Sequence, residues 1–267
     1  MILLSLEGVM SGEKESAMGE AVVGKFDENT FDEYADLYQQ MFNLPYRQRV
    51  ELPTLDKLVG EVAGLKIMDF GCGPGFLSRW LRNKGAGKVV GYDVSNGMLE
   101  YAREIESEHP VGIEYKTVLG ERDVSQYDVV LAVYVLPYCS NRDELFEVCR
   151  NVCQVLKPGG RLIALLMNSK FDVSPEYYRK YGFRLLIKEP LRDGSAVDLH
   201  ICQPPYNKTI PAHFWSDEAV EEALRNVGFY RIFWKSHKPD LLTVQESELL
   251  ADYLSCPHAS IIEAFKK

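Results

Sequence analysis

Asp69, Gly71, Gly73 and Gly75 stand in the pattern D-x-G-x-G-x-G, directly after the apolar residues Leu65, Ile67 and Met68. An acid at a strand end can accept hydrogen bonds from an amine or a hydroxyl. Glycines at alternate positions let a backbone approach a ligand where a Cβ would collide. A dinucleotide fingerprint, G-x-G-x-x-G, needs a glycine where this chain has Phe76. A second acid, Asp93, closes the apolar run Lys88-Val89-Val90-Gly91-Tyr92. It lies about twenty positions beyond the glycines, where a carboxylate accepts from both hydroxyls of a ribose. The sequence has no H-x-x-x-H pair and no grouped aspartates, so no metal ligand is assigned.

These residues require particular elements to hold them. The apolar run before Asp69 reads as a buried strand, and Phe76 to Asn83 as the helix that follows the glycine turn, the opening unit of a nucleotide-binding α/β sheet. Gly85-Ala86-Gly87 ends that helix, and Lys88 to Asp93 is the second strand. Ile113 to Val118 is the third strand and Gln126 to Tyr134 the fourth, with Asp128 capping or tethering its start. Asn141 to Leu156 is a helix, stopped by Lys157-Pro158-Gly159-Gly160, and Arg161 to Met167 is the fifth strand. Glu176 to Tyr181 reads as helical. Phe183 to Lys188, Ala196 to Cys202 and Lys208 to Phe214 read as short strands joined by turns such as Arg192-Asp193-Gly194. Ser216 caps a helix ended by Gly228, and Phe229 to Lys235 and Ile261 to Phe265 pair as antiparallel strands. Near the start, Phe31, Tyr34, Leu37, Tyr38 and Met41 recur at helical spacing.

The glycine pattern resembles the first motif of class I S-adenosylmethionine (SAM)-dependent methyltransferases. Tyr127-Asp128-x-Val130-x-Ala132 and the Leu156-Lys-Pro-Gly-Gly160 turn are similar to two further motifs of that family. The resemblance implies a Rossmann-like seven-stranded α/β sheet, with a helical lid over residues 25–60 and a substrate cap inserted after the fifth strand at residues 169–214. It implies S-adenosyl-L-methionine as cofactor, held by Asp69, Gly71, Cys72, Gly73 and Asp93. Val94 and Met98 would flank adenine, and Ala132 would form part of the floor beside the methyl. Tyr38 and Arg47 fall where the family's lid contacts the methionyl end, the arginine pairing with its carboxylate. The family's adenine-reading aspartate is missing here: Val118, Leu119 and Gly120 stand in its place, with the acid displaced to Glu121. Either a backbone group reads adenine alone or Glu121 reaches in, and Leu119 and Gly120 are assigned to the cofactor. Tyr134, Tyr138, Tyr206 and His213 are the expected acceptor contacts, with Tyr134 and His213 as catalytic candidates and no general base assigned.

Phe214-Trp215-Ser216-x-Glu218, Ala223-Leu224, Gly228-Phe229 and Cys256-Pro257-His258 resemble the toxoflavin-biosynthesis type, whose members methylate small, often heteroaromatic metabolites. The expected activity is therefore methyl transfer to nitrogen or oxygen of a small molecule. The alternatives are a nicotinamide-dependent oxidoreductase, disfavoured by Phe76, and a SAM-binding protein without turnover.

Composition narrows the partners. A chain of 267 residues with 46% hydrophobic content suits one large domain, here residues 25–267 after a flexible leader at 1–24. The net charge of −9 argues against a phosphate-tracking nucleic-acid surface. The apolar Met1–Leu6 run is too short to span a membrane. Six cysteines without a C-x-x-C pair suit a reduced, cytoplasmic protein, and Cys149 and Cys153, one helical turn apart, suit a buried helix face. A monomer or homodimer is expected.

Overall fold

A computed structural model describes residues 34–267, so the leader and the Phe31-Asp32 end of the aromatic stripe lie outside the described residues. The chain begins with α1 (Ala35–Met41) and a π-helical turn, Arg47–Glu51, that runs into α2 (Leu52–Val59). Then come β1 (Lys66–Phe70), α3 (Phe76–Asn83), β2 (Lys88–Tyr92), α4 (Asn96–Glu108), β3 (Ile113–Lys116) and β4 (Tyr127–Val133). They are followed by α5 (Arg142–Val155), β5 (Leu156–Met167), β6 (Phe183–Ile187), β7 (Ala196–Ile201) and β8 (Lys208–His213). The chain closes with α6 (Asp217–Val227), β9 (Phe229–Lys235), α7 (Val244–Ser255) and β10 (Ala259–Lys266).

The central sheet has seven strands in the order β3-β2-β1-β4-β5-β10-β9. The first five run parallel, while β10 is antiparallel to both β5 and β9. The chain leaves β1 toward β2 and β3, then returns to build β4 and β5 on the other side. A cleft opens at such a switch point, at the carboxyl ends of β1 and β4. Strand alternation divides the core between two faces. Met68, Val90, Val130 and Ala132 pack toward α5 and α6, whereas Ile67, Val89, Val129 and Leu131 pack toward α2 and α3. With both faces covered, the strands read as nearly continuous apolar runs.

The inserted segment forms a separate antiparallel sheet, β6-β7-β8, close to the expected three strands. Three details differ from expectation. Glu176 to Tyr181 is not a regular helix: it is a set of turns ending in the short 3-10 turn Arg179–Tyr181, terminated by Gly182 at φ +93°. Leu156 pairs with Tyr127 before the Pro-Gly-Gly turn, so β5 contains a register shift there rather than starting after it. Asp128 is the tether at this corner, accepting from the Lys66 N–H at 2.9 Å and from Lys157 Nζ at 2.6 Å. Helix α7 was not anticipated, although Thr243-x-x-Glu246 forms a reciprocal capping box at its start. Among the described residues, no helix is long and apolar enough to cross a membrane.

Candidate functional site

The turn after β1 is fixed by backbone bonds to the end of β2. Gly71 and Cys72 N–H both donate to the Tyr92 carbonyl, at 2.7 and 3.0 Å. Asp93 completes the arrangement: one carboxylate oxygen accepts from Gly73 N–H at 2.7 Å and the other from Ser95 N–H at 3.0 Å. Ser95, not Asp93, caps α4, accepting from Met98 N–H at 3.1 Å. Asp93 thus acts as a brace between the glycine loop and the start of α4. Gly71 sits at φ +72°, and a Cβ there would lie 2.5 Å from a Val135 methyl, so only glycine closes this turn.

Asp69 lies behind the loop, 1% exposed, accepting from Ser78 Oγ at 2.6 Å. Burial raises its carboxyl to about 7, against the lowering effect of the Ser78 hydroxyl and reinforced by the nearby Asp93 charge. The Cys72 thiol is pushed well up by burial and by the Asp93 and Asp69 carboxylates, so it stays neutral.

Eleven of the expected site residues line one cleft above this loop: Tyr38, Arg47, Asp69, Gly71, Cys72, Gly73, Asp93, Val94, Met98, Tyr134 and Tyr138. The amino-terminal helices supply Tyr38, Phe42 and Arg47 as the wall opposite the glycines. The Tyr38 and Tyr138 hydroxyls share a hydrogen bond of 2.6 Å. Arg47 is 6% exposed; its guanidinium lies over the Tyr134 and Phe42 rings at 4.7 and 5.0 Å, 3.8 Å from Glu51. Its Nε is buried and has no hydrogen-bond partner.

Five expected residues are placed elsewhere. Leu119, in the loop after β3, is buried in the core on the α5–α6 side. Ala132 is buried there too, because alternation along β4 gives the cleft to Val133 and the core to Ala132. Gly120 opens a 3-10 turn and donates its N–H to Asp123 at 3.0 Å. Tyr206 donates to the Asp36 carboxylate at the protein surface, lining a separate recess. His213 pairs in register with Ala196 at the end of β8, and burial pushes its imidazole pKa down despite the Glu144 charge.

Sequence reading passed over a buried polar cluster beside the cleft. Glu51 Oε1 accepts from Tyr134 Oη at 2.5 Å and from Tyr253 Oη at 2.7 Å. His258 Nε2 lies 3.2 Å from Tyr134 Oη. Burial would raise the Glu51 carboxyl, but Arg47, His258 and the two phenols outweigh it and hold it below the usual range. Burial pushes His258 down to about 3, so its ring is neutral. Tyr134 itself sits at φ +59°, a conformation unusual for a bulky residue and typical of functional positions. Glu51 lies within the expected lid, and His258 follows the Cys256-Pro257 pair. Neither position carries a local sign of the other.

Comparison with known proteins agrees with this architecture. Residues 67–160 match a family model described as a methyltransferase domain. The ubiquinone biosynthesis O-methyltransferase of Acinetobacter baylyi is 29% identical over 150 residues, 52% of this chain and 60% of that protein. The N-demethylindolmycin N-methyltransferase of Streptomyces griseus is 32% identical over 106 residues, 37% of this chain and 43% of that protein. The match therefore spans less than two thirds of either relative. A crystal structure of an S-adenosylmethionine-dependent methyltransferase from Mesorhizobium loti superposes with a TM-score of 0.59 at 22% identity, covering 85% of this chain and all of that one. The fold is that of the class I methyltransferases. Over residues 67–160 the chain is similar to a methyltransferase domain, and its likeness to the Mesorhizobium loti structure is one of fold.

Proposed function

We propose that this protein transfers the methyl group of S-adenosylmethionine to nitrogen or oxygen of a small-molecule acceptor. The carrying observation is the Asp93 carboxylate at the end of β2, bound to the Gly73 and Ser95 N–H groups in the same cleft as a buried arginine. The residues fit the cofactor. Asp93 lines the cleft with a carboxylate suited to a ribose diol, Val94 and Met98 offer apolar contact for adenine, and Asp69 stands behind the loop as an acceptor. The orphaned Arg47 Nε suits a carboxylate. SAM supplies a methyl group on positively charged sulfur, open to in-line displacement. The protein's part is to align the acceptor and exclude water. Tyr38, from α1, closes over the cleft, and the described part of the amino-terminal segment, residues 34–50, acts as a lid; its amides should gain hydrogen-exchange protection when SAM is added, and unchanged exchange would refute the lid.

The relatives' names support a small-molecule acceptor, one an O-methyltransferase and one an N-methyltransferase. The resemblance of Phe214-Trp215-Ser216 and Cys256-Pro257-His258 to the toxoflavin-biosynthesis type supports a heteroaromatic one. Calorimetric titration with SAM and with oxidised nicotinamide dinucleotide tests the reading. Binding of SAM alone is expected, and binding of the dinucleotide alone would reverse the assignment to the oxidoreductase alternative. Label transfer from radioactive SAM into small molecules of a cell extract separates an enzyme from a binding protein.

A further inference from the structure

Beneath the cap sheet a second cavity adjoins the cofactor cleft. Leu185, Leu199 and Ala212, one from each cap strand, wall it together with Met167 from the end of β5. Tyr38, Arg47, Tyr134 and Tyr138 line both spaces and so form the partition between them. His258 faces this second cavity and does not line the cleft.

The hydrogen bonds of the buried cluster fix the state of that histidine. Tyr134 has one hydroxyl proton, committed to Glu51 at 2.5 Å. Its oxygen can therefore only accept from His258 Nε2, 3.2 Å away. The imidazole proton must sit on Nε2, which leaves the Nδ1 lone pair as an acceptor. That nitrogen is buried without a partner, in a residue 6% exposed. The ring is held among Tyr46, Phe183 and Tyr253, with centroids 5.4, 4.6 and 5.6 Å away, so it cannot swing out to solvent. A buried acceptor left empty is costly, and a cavity beside it offers the place for the missing donor.

We propose that the second cavity is the methyl-acceptor site, and that His258 Nδ1 there accepts a hydrogen bond from an N–H or O–H of a flat, uncharged, largely apolar ring compound. This rests on the SAM assignment of the neighbouring cleft. Apolar cap strands and aromatic rings suit a flat ring. Arg47 is shared between Glu51 and the SAM carboxylate, so a charged ligand in the second cavity would find no counterion of its own. Glu51 and Tyr253 are positioning residues: they hold Tyr134, which holds the tautomer of His258.

Matched probes test the assignment. Phenol against anisole and indole against 1-methylindole differ by one donor hydrogen. Their binding is to be measured by NMR on protein containing 15N-labelled histidine, with and without S-adenosylhomocysteine. Phenol and indole should bind at least fivefold more tightly than their methylated partners, and should move the His258 Nδ1 resonance. His258→Phe should abolish the preference while S-adenosylhomocysteine affinity stays within twofold. If that variant does not fold, the wild-type pairs and the nitrogen resonance decide. Equal binding within each pair, absence of binding by all four, or an unmoved Nδ1 resonance would overturn the inference. Failure of S-adenosylhomocysteine to bind would instead refute the cofactor reading, while the probes on unloaded protein still report on the cavity.

Discussion

The two halves of the site are built in different ways. The glycine-loop cleft is made of backbone N–H groups and two strand-end carboxylates, and its central brace, Gly73 to Asp93, spans 20 residues of one β-α-β unit. The cap cavity is made of side chains from distant segments: Glu51 meets Tyr134 and Tyr253 across 83 and 202 residues, and Tyr134 meets His258 across 124. A backbone site tolerates changes of neighbouring side chains and offers the same groups to one cofactor. A side-chain site can be altered one residue at a time, which suits the half that must distinguish acceptors.

That contrast predicts where substitutions act. The largest effect should come from Glu51→Ala, which leaves Arg47 buried without its carboxylate and two phenols without an acceptor. A loss of about 3–5 kcal/mol is expected in urea unfolding. The double variant Arg47→Met, Glu51→Leu should recover a part of it; no recovery would mean that the charge pair is not the source.

Asp93→Ala should act on the other half, weakening SAM roughly tenfold or more, since charge-assisted bonds to a ligand are each worth about 1.5–3 kcal/mol. Binding of the phenol probe in the cap cavity should not change. A SAM dissociation constant equal to the wild type in a folded variant would remove Asp93 from the site.

A smaller effect is expected from Asp69. Its folded pKa is raised to about 7 by burial, so the folded state favours the protonated acid. Below the ordinary carboxyl range both states bind the proton and nothing is lost. As pH rises toward 7 the unfolded chain ionises freely and stability falls. Asp69→Asn removes this term, so the stability of the variant relative to wild type should increase by about 1 kcal/mol or more between pH 4.5 and 7.5. A pH-independent difference between the two proteins would show that Asp69 is already ionised in the fold.

Tyr206→Phe should do least. Its hydroxyl meets Asp36 at the surface, away from both cavities, so turnover and SAM affinity should both stay within twofold and stability within about 0.5 kcal/mol. His213→Ala tests the same point at the end of β8. A loss of turnover in either variant would extend the acceptor site beyond the cavity described here.

Much of the first half was legible because its signals are local. Asp69, the three glycines and Asp93 each occupy a position dictated by a strand end or a turn, and neighbours in sequence remain neighbours in space. The same holds for the cap strands, bounded by Gly, Pro and Asp turns. Ala132 marks the limit: it belongs to the right strand end, but which face a side chain takes depends on register, and one position separates the buried Ala132 from the cleft-lining Val133.

Sequence alone determined the sheet's opening unit, the glycine loop, its bracing acid and the insertion after the fifth strand, because periodicity and turn chemistry act over a few residues. Tertiary structure alone decided that Glu51, Tyr134, Tyr253 and His258 meet. Each is ordinary in its own segment. Their chemistry arises only when β10 inserts antiparallel between β5 and β9, carrying His258 to the carboxyl ends of the parallel strands, while the π-turn sets Glu51 against it. No local pattern encodes such a meeting, since it depends on how whole elements pack.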